Sequence, residues 1–174
     1  MNRLEVDTER LTLRSLTYAD SPFLIELLNS EGWLTFIGDR NARTEAGAIT
    51  YLDNGPLKSY AQHGFGLARV SLKATNQPIG LCGLLQRDYL PHPDIGYALL
   101  PQFAGKGYAL EAARHTLDVA FRQLGLPKIM ATVMPANTAS IQVLTRLGMT
   151  QEGTIRPDGV PVDLLLFGKS APDL

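Results

Sequence analysis

Asp94-Ile95-Gly96-Tyr97-Ala98-Leu99-Leu100-Pro101-Gln102-Phe103-Ala104-Gly105-Lys106-Gly107-Tyr108-Ala109-Leu110-Glu111-Ala112-Ala113 is the stretch on which the reading of this chain turns. It opens as a strand from Asp94 to Leu100, and Pro101 forces a turn just after it. Ala109, Ala112, Ala113, Thr116, Leu117, Ala120, Phe121 and Leu124 then recur at i, i+3, i+4, the spacing of a helix with one buried stripe. Gly125 stops that helix and Pro127 prevents its restart. The turn between, Gln102 to Ala109, carries Gly105 and Gly107, which admit positive φ and a close backbone approach. The first turn of the helix offers unpaired N–H groups and the positive end of its dipole. Together these form a cradle for an anion, with Lys106 adding a charge at the rim. A turn that only connects two elements is the alternative; its place between a strand and an amphipathic helix favours binding.

Nucleotide motifs fail here on spacing. A phosphate loop of the Walker type needs glycine where Leu100 stands and Ser or Thr where Gly107 stands. A dinucleotide fingerprint needs a third glycine where Leu110 stands.

Outward from this stretch, alternation marks strands at Glu9–Leu16, Phe65–Lys73 and Ile79–Gln86, the last two joined by the turn Thr75-Asn76-Gln77-Pro78. A helix capped by Asp20 or Ser21, with Pro22 in its first turn, buries Phe23, Leu24, Leu27 and Leu28. Another runs from Ala42 or Thr44 to Leu52, followed by a short helical piece to Gln62. Beyond the central helix come a strand at Lys128–Val133, a helix at Asn137–Leu147 and a terminal hairpin, Thr150–Arg156 with Val162–Phe167. The order β, α, α, β-β-β, α, β, α, β-β is α+β with a mixed, mostly antiparallel sheet. Two strand–helix–strand crossovers in the C-terminal half imply some parallel pairing there.

The chain has 174 residues, 16 Lys+Arg against 17 Asp+Glu, and 45% hydrophobic residues. That length and apolar content suit one folded domain spanning 1–174 and exclude a disordered chain. The near-zero charge argues against nucleic acid or an anionic membrane as partner. The lone Cys82 leaves no internal disulfide framework or cysteine zinc cluster, and no metal motif is present. Without a signal-like start or a long apolar run, a cytoplasmic location is expected.

Gln102-x-x-Gly105-x-Gly107 resembles the coenzyme A pyrophosphate loop of the GCN5-related N-acetyltransferases (GNAT). Asp94-Ile95-Gly96-Tyr97 through Glu111-Ala112-Ala113, Pro135-x-Asn137-x-x-Ser140 and Leu147-Gly148-Met149 are similar to its RimJ/RimL-like branch. His63-Gly64-Phe65-Gly66 and Gly38-Asp39-Arg40 fit a small-molecule subset of that branch. The resemblance implies the GNAT fold, with a splayed strand pair flanked by about four helices. It implies acetyl-CoA as co-substrate and an amine acceptor, either a small molecule or a protein N-terminus. Family members often pair through sheet edges, so a homodimer is compatible with it.

By that resemblance the strands Asp94–Leu100 and Lys128–Val133 part to admit the pantetheine arm. Leu99 and Leu100 supply backbone partners, one of whose N–H groups polarises the thioester carbonyl. Gln102, Phe103, Ala104, Gly105, Lys106, Gly107, Tyr108 and Ala109 form the diphosphate cradle. Asn137 bonds the pantetheine or acceptor region, and Ser140 lies near the sulfur, where it helps protonate the departing thiolate. As residues alone, Asn137 reads equally as a helix N-cap and Ser140 as an ordinary helical serine. Many family members carry a tyrosine acid where this chain has Leu144, so the proton comes from Ser140, a water or solvent.

An alkylammonium acceptor needs a base. Asp94 is the first candidate, acting through water, against its reading as a strand-end carboxylate that caps the Pro91-His92-Pro93 loop. His92 is the second candidate, since an imidazole can act as a general base, but it reads more simply as a loop residue. Cys82 reads as a small buried hydrophobe, His63 as a helix–strand junction, His115 as exposed and Glu111 as solvated or dipole-favoured. Trp33 and Phe36 either line an acceptor pocket or pack helix on sheet; Arg40 and Arg43 either steer an acidic acceptor or sit in a solvated loop. Three functions are weighed: a direct-attack N-acetyltransferase, a non-catalytic acyl-CoA-binding regulatory module and, disfavoured by the failed spacing, a nucleotide phosphotransferase.

Overall fold

The computed structural model describes residues 2–173. Eight strands form one sheet in the order β1-β2-β3-β4-β5-β6-β8-β7. They are β1 (Val6–Asp7), β2 (Leu11–Ser15), β3 (Leu67–Leu72), β4 (Pro78–Leu85), β5 (Asp94–Leu99), β6 (Lys128–Val133), β7 (Thr150–Ile155) and β8 (Leu164–Ser170). The helices are α1 (Ser21–Leu28), α2 (Glu31–Phe36), α3 (Glu45–Asn54), α4 (Pro56–His63), α5 (Tyr108–Asp118) and α6 (Thr138–Arg146).

β3, β4 and β5 form an antiparallel meander, and β2 pairs antiparallel with β3. In β2, Leu11 and Leu13 face inward while Thr12 and Arg14 are half-buried on the other side. β4 lies at the centre and is buried from Ile79 to Leu84, so it reads as a continuous apolar run rather than an alternation.

Alternation along the strands sorts the core into two layers. Cys82, Leu84 and Ile95 face α5 and α6 together with Ala112, Ala113, Leu117 and Leu144. Leu81, Leu67 and Leu100 face the other way, against Leu24, Leu27 and Leu28 of α1, Trp33 and Leu52. Thr44 caps α3 by accepting from the Gly47 N–H at 3.1 Å, and Pro56 opens α4 at a position where no donor is needed.

The structure departs from the sequence expectations in four places. The Asn29-Ser30-Glu31-Gly32 segment ends α1, and a further short helix, α2, follows directly from Ser30. It escaped the sequence reading because it buries little besides Trp33 and carries no extended stripe. β1 is a two-residue edge strand, too short for any periodic signal. The central helix widens to a π-turn over Val119–Gln123. Only one crossover gives a parallel pair, β5 with β6. After α6, β8 inserts between β6 and β7 and pairs antiparallel with both.

Leu144, at the position of the family tyrosine, is 1% exposed and packs in the α5–α6 layer. Leu144→Ala should cost about 2–5 kcal/mol of unfolding free energy, measured by urea denaturation; a loss below about 1 kcal/mol would place this side chain outside the core.

Candidate active site

β5 and β6 run parallel and meet at one register position, Asp94 with Met130. There the Met130 N–H donates to the Pro93 carbonyl at 2.9 Å. On its other edge β5 is paired with β4 from Asp94 to Leu99, and the Leu100 N–H donates to the Ile79 carbonyl at 2.8 Å. Antiparallel ladders alternate between residues whose N–H and C=O face the partner and residues whose groups face away. Counted back from Leu100, the backbone groups of Leu99 and Tyr97 face away from β4, into the opening beside β6. The same parity, counted from Met130, turns Thr132 toward that opening. An extended chain bearing amides can enter here as an added strand.

Leu99 stands where the sequence reading places it. Leu100 does not: its N–H is held by Ile79 and its carbonyl accepts from the Phe103 N–H at 3.0 Å. Tyr97 is instead the second residue whose backbone groups turn to the opening. Ladder parity decides this, and parity is a property of strand pairing that residue types do not encode.

Pro101–Phe103 form one tight turn. Its bonds occupy the N–H groups of Phe103 and Ala104, the latter donating to Pro101 at 3.2 Å. Of the N–H groups expected to form a cradle, those of Phe103 and Ala104 are therefore taken, and the ones without a partner begin at Gly105. Gly105 and Gly107 have φ of 75° and 81°, left-handed values that L side chains avoid. Among the described residues, the N–H groups from Gly105 to Leu110 have no partner, and the first intrahelical donor is Glu111, bonded to Gly107 at 3.1 Å. Six N–H groups without a partner among the described residues thus lead into the first turn of α5, while Gln102 and Lys106 stand exposed beside them.

Asp94 lies at the closed end of the opening, with its side chain on the α1–α4 face, the face of its register partner Leu85. It is 2% exposed. Arg87 approaches it at 3.4 Å, and its Oδ1 has no hydrogen-bond partner. Burial pushes this carboxyl up to about 6, against the opposing pull of Arg87. Beside it a cleft is lined by Leu85 to Tyr89. His92 is half-buried and forms no hydrogen bond among the described residues.

On the opposite face Asn137 caps α6, its Oδ1 accepting from the Ser140 N–H at 3.2 Å. The cap reading of Asn137 holds, and its amide NH₂ remains open. The Ser140 Oγ lies 2.9 Å from the Tyr97 hydroxyl, which also donates to the Ser140 carbonyl at 3.1 Å. Tyr97 thus ties the parted strand to the first turn of α6, and burial raises its phenol well above the ordinary value.

An acetyltransferase (GNAT) domain model matches residues 10–150. This chain belongs to the GNAT acetyltransferase family. It is 30% identical over 168 residues to the uncharacterized N-acetyltransferase p20 of Bacillus licheniformis, covering 92% of both chains. The crystal structure of an acetyltransferase from Agrobacterium tumefaciens superposes with a TM-score of 0.80 at 30% identity, over 95% of this chain and 93% of that one. RimL, a ribosomal L7/L12 α-N-protein acetyltransferase solved with coenzyme A, shares the fold at a TM-score of 0.77 and 18% identity, over 94% and 95% of the chains.

Several residues of this GNAT chain differ in setting from the sequence reading. Glu111 is not solvated: it accepts from Thr8 Oγ1 at 2.6 Å, the Arg10 N–H at 3.0 Å and Arg10 Nε at 2.8 Å. Arg10 and Tyr97 carry site contacts and went unread, Arg10 because its partners lie about a hundred residues away in sequence. Arg43 pairs with Asp39 at 2.6 Å. Cys82, by contrast, is the small buried hydrophobe expected: it is 1% exposed, and burial pushes its thiol up to about 12, so it is no nucleophile.

Folding holds Asp94 protonated to a higher pH than the unfolded chain does. Its stabilising contribution is therefore complete below about pH 4 and lost as pH rises through about 6. Urea midpoints of the parent chain, taken relative to Asp94→Asn, should fall between about pH 4 and pH 7; a difference constant across that window would show an ordinary carboxyl.

Proposed function

We propose that this GNAT protein is an acetyl-CoA-dependent N-acetyltransferase in which a primary amine attacks the thioester directly. The single observation that carries this reading is the continuity of the site. Unpaired backbone groups of Tyr97 and Leu99 lead from the buried carboxyl of Asp94 to the N–H cradle at Gly105–Leu110. That sequence of groups matches a thioester, an amide-bearing arm and a diphosphate in order. RimL, which shares the fold, was solved with coenzyme A bound.

In this reading coenzyme A lies with its diphosphate on the cradle and its pantetheine beside β5. Asp94, ionised at neutral pH, draws a proton from the ammonium through water. A backbone N–H at Leu99 or Tyr97 stabilises the tetrahedral oxyanion. Ser140 gives a proton to the leaving thiolate. Its hydroxyl is oriented by the Tyr97 phenol, which donates to Ser140 Oγ in one of its two hydrogen-bonding arrangements. That pair stands in for the tyrosine absent at Leu144. The acceptor is a small-molecule amine or a protein N-terminus, as in the RimJ/RimL-like branch.

Acetyl-CoA with a panel of amines, amino acids, polyamines and N-terminal peptides should release free CoA with at least one member. On that substrate Asp94→Asn should lower kcat/KM by about 10²–10⁴-fold and abolish the rise in rate through about pH 6. Acetyl-CoA binding without amine-dependent release anywhere in the panel would leave the regulatory module as the function.

A Cβ built at Gly107 would stand 3.4 Å from the guanidinium of Arg10, so a large side chain there fills the cradle. Gly107→Trp should abolish calorimetric CoA binding while keeping the circular dichroism of the folded chain. Tight CoA binding by a folded Gly107→Trp protein would refute the cradle assignment.

A further inference from the structure

Outside the loop itself, one side chain reaches the cradle from the far end of the sequence. Arg10 precedes β2, yet its guanidinium carbon lies over the Tyr108 ring, 4.4 Å from the centroid. Its Nε donates to Glu111 Oε1 at 2.8 Å and its Nη1 to the Lys106 carbonyl at 3.0 Å. Glu111 is held in turn by Thr8 Oγ1 at 2.6 Å and the Arg10 backbone at 3.0 Å. The guanidinium is therefore fixed from three sides, by a carboxylate, a carbonyl and an aromatic face.

A guanidinium has five N–H donors. Two are used here. Among the described residues, the remaining Nη1 donor and both Nη2 donors have no partner, and Nη2 is the atom 3.4 Å from a Cβ built at Gly107. Nη2 thus lies beside Gly107, within the run of residues 105–110 whose N–H groups have no partner among the described residues. Glu111 accepts from the Nε of the group, and its oxygens are further occupied by Thr8 Oγ1 and the Arg10 N–H. Lys106 is the other cation here, and its Nζ lies over the Phe103 ring at 5.9 Å.

We propose that Arg10 is a phosphate-binding residue of this site, its free Nη2 donating to the diphosphate of a coenzyme A thioester seated on the Gly105–Leu110 amides. The proposal rests on the coenzyme A reading above and extends it. A fixed guanidinium adds what backbone amides lack: a full positive charge, pre-aimed, in a fork that suits phosphate oxygens. It also makes the N-terminal strand part of the binding site, since Thr8 and Arg10 hold Glu111 jointly.

The test is calorimetric titration of the parent chain and Arg10→Gln with three probes: CoA, dephospho-CoA and pantetheine. Arg10→Gln should weaken CoA and dephospho-CoA alike by about tenfold or more, the loss of one charge-assisted hydrogen bond, and leave pantetheine within about twofold. Arg10→Lys, which keeps the charge without the fork, should fall between, and serves also if Arg10→Gln does not fold. Equal weakening of all three probes would make Arg10 a structural brace only. Weakening of CoA alone would move its contact to the 3′-phosphate, and unchanged CoA affinity would remove it from the site; each overturns the proposal. A parent chain that binds none of the probes would overturn the coenzyme A reading itself.

Discussion

The parting of β5 from β6 after their single bridge at Asp94 and Met130 is the constraint on which the site depends. A strand inside a sheet normally satisfies both of its edges, and an unpaired backbone group away from water is costly. Here β5 satisfies one edge only, along β4. The ladder holds it straight and rigid while its other edge stays open to water or to a ligand that brings its own amides. Because β4 is buried on both faces, the platform under that edge cannot easily shift. The proposed chemistry is thus built on strands held by the core, with the proposed diphosphate cradle on the turn between β5 and α5.

Side-chain alternation along β5 then divides the proposed reaction between two faces. Asp94 points to the α1–α4 layer, with Arg87 and the cleft beyond Leu85. Tyr97 points to the α5–α6 layer, where it meets Ser140. A base on one side and a proton donor on the other suit a reaction in which an amine approaches from one face and a thiolate departs toward the other. The carboxyl at the closed end is pushed up by burial and pulled back by Arg87 to about 6. It is ionised near neutrality and still close enough to the working pH to accept a proton.

Much of this was legible in the residues. The strands β3 to β5, the long stripe of α5, the limits of β6 and the cap at Asn137 follow from apolar spacing, Gly and Pro punctuation and a polar capping residue, all local signals. The glycine pair before α5 was legible for the same reason, since positive φ and helix ends are short-range properties. What failed was of another kind. The second crossover pairs with nothing in parallel, because β8 inserts itself between β6 and β7. Glu111 read as solvated, because Thr8 and Arg10 lie about a hundred positions away.

By itself, then, the order of residues determined that a strand, a glycine turn and an amphipathic helix follow one another, with free N–H groups at their junction. Only the tertiary structure decided which backbone groups of β5 face the opening, that Leu100 yields its place to Tyr97, that Tyr97 meets Ser140, and that Arg10 stands over Gly107. The physical reason is range. Dihedral preference and periodicity act over a few residues and are written in them. Ladder parity and ion pairing join distant segments and exist only once the sheet has closed.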